Sequence, residues 1–144
     1  MVTAVDDLWP ADIAIAEELV APVTILKQQA SLLGQRTKNL VEAVVETEPV
    51  DYGRFMRHNF TLVVPALSFY RYKLFHVEHP ATKLYPLRVD HPDTVRESWD
   101  QLDVADEAAF KDTLRKLFAD VETKRIIAAL IAQSTANQSF EQTA

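Results

Sequence analysis

The chain has no cysteine among its 144 residues, which removes disulfides, thiolate nucleophiles, Cys-based zinc sites and iron–sulfur clusters from consideration. Glycine is nearly as scarce. Only Gly34 and Gly53 occur, and neither has a glycine partner at the spacing of a phosphate-cradling loop or a dinucleotide turn. No G-x-S-x-G and no H-E-x-x-H is present, so nucleophile-elbow hydrolases and zincin-type proteases lose their sequence support. The longest apolar run, residues 126–132, is far shorter than the roughly 20 residues of a membrane span. The first charges are Asp6 and Asp7, which is not the basic start of a secretory leader. A cytoplasmic protein without a membrane partner is the expectation.

What is there is 48% apolar and 25% charged, a globular composition at a length that suits one domain around one core. The expected domain is 1–144, with 1–9 and 136–144 frayed. Charge is distributed unevenly. All four histidines (His58, His76, His79, His91) and all four tyrosines (Tyr52, Tyr70, Tyr72, Tyr85) lie between residues 52 and 91. There six Lys/Arg (Arg54, Arg57, Arg71, Lys73, Lys83, Arg88) face two acids (Glu78, Asp90), in a chain of net charge −6.

Residues 11–21 read as helix with Pro10 suited to the first turn, and Pro22 either kinks that helix or starts another. From there Val23, Leu26, Ala30, Leu33, Thr37 and Leu40 recur at three- and four-residue spacing, with Ala16 and Leu19 in phase before them. Such a stripe serves a helix lying on a sheet or one pairing across a dimer. Asn39 is a fitting terminator. Strands follow at 41–48, 54–64, 69–78 and 84–89, rich in β-branched and aromatic residues and separated by turns at 65–67 and 80–83. Residues 92–104 give weak signals apart from Trp99. Asp106 is a good N-cap for a helix over 106–119 with Phe110, Leu114 and Leu117 on its buried stripe, and Asp120 for one over 121–134 carrying Ile126, Ile127, Leu130 and Ile131. The predicted class is α+β: N-terminal helices, a four-stranded antiparallel meander, and two C-terminal helices packed on one sheet face.

Binary pattern sets the expected register, since a one-residue slip exchanges the faces of a strand. Burying Arg71 and Lys73 beside Phe60, Leu62 and Val64 would cost several kcal/mol per unpaired cation. An odd-length loop avoids this. It puts Met56, His58, Phe60, Leu62 and Val64 with Tyr70, Tyr72, Leu74 and His76 on the inner face, and Arg57, Asn59, Thr61, Arg71, Lys73, Phe75 and Arg88 outside, beside Glu42 and Glu46.

Three sites follow from that register. Arg57, Arg71, Lys73 and Arg88 beside Phe75 match the recipe of a single-strand nucleic-acid platform, cations for phosphate and a ring for stacking. Glu42 and Glu46 can equally pair with those cations, and the net charge of −6 opposes a polyanion. His58, Tyr72 and His76 form a second candidate at the inner end. His58, His76 and Glu78 make a conceivable metal trio for a small metal-dependent hydrolase, set against partly buried histidines that merely donate hydrogen bonds. The only E-x-K, Glu122-Thr123-Lys124, sits on a helix, which argues against a restriction-endonuclease-like site. No nucleophile or oxyanion donor is identifiable and no cofactor is called for. The expected function is a non-catalytic protein-binding or accessory module that self-associates.

Overall fold

The computed structural model describes residues 6–14, 19–90 and 102–143. Helix α1 (Pro22–Arg36) is followed by strands β1 (Glu42–Val50) and β2 (Phe55–Val64), the single turn of 3-10 helix η1 (Pro65–Leu67), strands β3 (Tyr70–Pro80), β4 (Leu87–Asp90) and β5 (Leu102–Val104), and helices α2 (Glu107–Ala119) and α3 (Val121–Thr143). The strands form one antiparallel sheet in the order β1-β2-β3-β4-β5. The architecture is therefore α+β, a helix, a meander and two C-terminal helices, with five strands where four are expected. The fifth, β5, is three residues long, too short to carry an alternation signal.

Pro22 opens α1, its ring filling a first-turn position that needs no N–H. The helix expected over 11–21 is not seen in its described parts: 11–14 form a turn and 19–21 are irregular, while 15–18, with Ala16, lie outside the described residues. From α1 onward the stripe behaves as a sheet-covering face, because Leu26 and Ala30 are buried in the core with Leu33 packed against it, whereas Leu19, ahead of the helix, is 69% exposed. After Arg36 the Thr37 hydroxyl donates to the Leu33 carbonyl (3.0 Å), Asn39 takes a left-handed φ of 64°, and its N–H bonds the Gly34 carbonyl (2.8 Å). An Asn tolerates this conformation better than most residues. At α2 the Asp106 carboxylate accepts from the Ala109 N–H (2.8 Å), and at α3 Asp120 accepts from Glu122 N–H (3.0 Å), so both predicted caps form. The last helix runs on to Thr143, past the expected end near 134.

α1 lies across β1 and β2, while α2 meets β5 and α3, and α3 reaches η1, where the Asn137 amide donates to the Ala66 carbonyl. Between these helices and the sheet sit Phe60, Leu62, Val64, Phe75, Val77, Leu87 and Val89, with Phe110, Leu114, Leu117 and Leu130 from above. Phe60 and Phe75 stack at 4.9 Å between centroids, and Phe118 meets both rings at 5.9 and 6.1 Å.

One irregularity decides which side chains face where. Phe60 pairs with Phe75 but the next residue, Thr61, pairs with Lys73, leaving Leu74 as the extra residue of a β-bulge. From Tyr70 to Lys73 the faces are those expected: Tyr72 opposes Leu62 inside, and Arg71 and Lys73 look out. Beyond Leu74 the alternation is inverted. Phe75 is fully buried in the core rather than on the outer face, and His76 is on the outer face rather than the inner end. The bulge puts the fully apolar Phe75 among the core rings and leaves His76, though buried, on the face that carries the carboxylates of Glu78 and Asp90.

Candidate functional site

The outer face is built row by row across the strands. Glu48 of β1 opposes Arg57 of β2, which opposes Glu78 of β3, then Arg88 of β4 and Asp103 of β5, so signs alternate across the whole sheet. Arg57 bonds Glu78 at 2.7 Å and approaches Glu48 at 3.7 Å, Arg88 lies 3.6 Å from Asp103, and Arg71 pairs with Glu46. Four cations (Arg57, Arg71, Lys73, Arg88) share this face with six acids (Glu42, Glu46, Glu48, Glu78, Asp90, Asp103). The face is mixed with an acidic excess. Phe75, the ring expected among these cations, is absent from it.

The next row holds His76, buried, opposite Asn59 and Asp90. Its Nε2 is 3.5 Å from both Glu78 Oε1 and Asp90 Oδ2. Burial lowers its pKa, with Lys73 and Arg57 acting in the same direction and Asp90 and Glu78 against it. With Arg57, Glu78, Arg88 and Asp90 it lines a cavity of about 230 Å³.

The inner end carries an arrangement the expected register did not contain. Because the bulge turns His79 inward, its Nε2 meets His58 Nε2 at 2.9 Å, both rings being buried. His79 Nδ1 sits 2.8 Å from the carbonyls of Pro80 and Lys83, which only accept, so that nitrogen carries the hydrogen. In the neutral ring Nε2 is then the acceptor. It follows that His58 donates through Nε2, and that its bare Nδ1 accepts from the Thr47 hydroxyl at 2.7 Å. Every donor in this relay has an acceptor. It ties β1, β2, β3 and the connection to β4 into one hydrogen-bonded line.

His58 is thus joined by Thr47 and His79, not by His76 and Tyr72. The metal trio is not assembled: His58 faces the helices, whereas His76 and Glu78 face the other way. Among the described residues no group of three or more His, Asp or Glu side chains is placed to hold a metal ion. Sequence reasoning missed Thr47 and His79, although a signal was available. The large apolar residues fall on Tyr72 and Leu74, then on Phe75 and Val77, and that change of phase inside one strand is a bulge written in sequence.

The helical layer has an opening of its own. α1 and the pair α2/α3 sit side by side over the sheet, and between them lies an apolar cavity of about 280 Å³ floored by Phe60 and Leu74. A second hollow of about 280 Å³, sharing Gln29 and Phe118 with the first, continues it toward Ile25 and Leu114. Outside the domain's core stand Leu8, Trp9 and Ile13, 89%, 71% and 59% exposed. Among the described residues no helix is long and apolar enough to cross a membrane. Comparison of the chain with protein-family models, curated proteins and solved structures returned no match.

Proposed function

We propose that this protein is a non-catalytic protein-binding module that associates with itself. The observation that carries the reading is the exposure of Leu8, Trp9 and Ile13, three large apolar side chains within six residues that the domain leaves in water. Scattered exposed hydrophobes are normal, and Tyr52 and Phe69 at the hairpin tips are of that kind, but a cluster with an indole marks a contact surface. Burying each such side chain on a partner is worth about 1.5–3 kcal/mol.

The other readings have less support. A nucleic-acid partner is opposed by the outer face, where Glu46, Glu48, Glu78 and Asp103 lie beside Arg71, Arg57 and Arg88. A hydrolase using His58, His76 and Glu78 is opposed by their placement on two faces of the sheet.

The test is sedimentation velocity of the full chain over about a hundredfold range of concentration, with a Leu8→Ser, Trp9→Ser, Ile13→Ser triple variant alongside. The wild type is expected to shift to a heavier species while the variant stays monomeric with an unchanged circular-dichroism spectrum. A wild type that is monomeric throughout overturns self-association.

A further inference from the structure

We infer that the groove between α1 and the C-terminal helices receives residues 6–14 of a second copy of this chain, each copy lending its arm to the other; this rests on the self-association proposed above and names its surface. The argument begins with charge. Residues 1–26 contain five acids, Asp6, Asp7, Asp12, Glu17 and Glu18, and no Lys or Arg, whereas residues 27–41 contain Lys27, Arg36 and Lys38 and no acid. The arm and the helix that walls the groove are therefore of opposite sign along their lengths. Within the described arm, Asp6 and Asp7 precede Leu8 and Trp9, and Asp12 precedes Ile13, so one short segment offers both kinds of contact.

The groove offers the complements. Its walls are Leu32 from α1, itself 42% exposed, Phe118 from α2 and Ile127 from α3. Arg36 stands at the rim without a carboxylate partner among the described residues. Lys111 and Arg115, beside the second hollow, are held by Glu107 and Asp112 on their own helix, so among the described residues the cation lining these hollows without an ion pair is Arg36. An apolar cleft with few polar groups at its mouth is the usual form of a specific pocket, and an aromatic anchor filling it is the usual centre of an interface. Trp9 is that anchor. Exchange of one segment between two identical domains closes as a two-fold dimer in which the same contact is made twice.

The absence of cysteine makes the placement directly testable. Chains carrying Ile13→Cys and tagged chains carrying Leu32→Cys are mixed under mild oxidation and separated without reductant, while the dimer dissociation constant is measured for wild type, Trp9→Ser and Arg36→Glu. The expected result is a mixed disulfide in excess of either same-variant product, with dissociation constants raised about tenfold or more by Trp9→Ser and several-fold by Arg36→Glu. A dimer that is unaffected by both substitutions and yields no mixed disulfide overturns the arm-in-groove placement and leaves self-association standing. A monomeric wild type overturns both. A double variant, Ile13→Cys with Leu32→Cys, that closes only within one chain shows the arm in its own groove and also overturns the inference.

Discussion

Burial strips the His58 cation of water, and the neighbouring His79 ring and Lys27 add to the cost, so its pKa is held down at about 4. The hydrogen-bonded line is complete in that neutral state, with Nδ1 accepting from Thr47 while Nε2 donates to His79. An unfolded chain binds a proton at this position near pH 6.5, the folded one only near 4. The contribution to stability is therefore intact above pH 6.5 and is lost as pH falls toward 4, about 3 kcal/mol over the whole window. Urea midpoints measured across that range are expected to fall for the wild type, and a His58→Phe variant is expected to lose this part of the slope. Equal slopes in the two proteins would place the acid sensitivity elsewhere.

At the scale of elements the bulge at Leu74 governs the third strand. Removing Leu74 brings Lys73 and Phe75 next to one another, so Tyr72 and Phe75 still face the helices and Lys73 and His76 still face out. The expected cost is that of one buried leucine, about 3 kcal/mol, with the sheet retained. Removing Val77 instead inverts every later residue of β3, sending Glu78 toward the core and His79 into water. Amide correlation spectra of the two deletions check this: a dispersed native pattern for the first, a collapsed one for the second. A collapsed first deletion would show that the bulge itself, not the phase it restores, is required.

The same strand explains what could be read in advance. Capping aspartates and the α1 stripe act locally, so Asp106, Asp120, Leu26 and Ala30 were legible from spacing alone. The loop between β2 and β3 was legible because burying Arg71 and Lys73 is costly. Phe75, His76 and His79 were not, because one extra residue changes no composition and its effect appears only as a shift in phase. The pairing of His58 with His79 is non-local and depends on that shift. β5 has too few residues to alternate, and its place at the sheet edge is set by pairing with β4.

For the molecule as a whole, the segregation of charge along the first 41 residues gives the proposed dimer a salt dependence. Raising ionic strength from 0.1 to 1 M shortens the screening length from about 10 to about 3 Å. The attraction between Asp6, Asp7, Asp12 and Arg36 of α1 is then expected to fade while the burial of Trp9 persists. The dissociation constant should rise several-fold without the dimer vanishing, as read by sedimentation equilibrium. A constant that falls with salt would make the contact apolar alone.

The row from Glu48 to Asp103 also guards against an error that apolar alternation cannot detect. Sliding a strand by two positions keeps every greasy side chain indoors, and for strands as short as β4 and β5 little else would object. Here such a slide of β4 sets Asp90 against Glu78, and the corresponding slide of β5 sets Asp103 against Asp90. Like charges directly opposed repel. The acids and arginines of the open face thus act as a vernier, fixing where each short ribbon stops along its neighbour while the core fixes only which way up it lies.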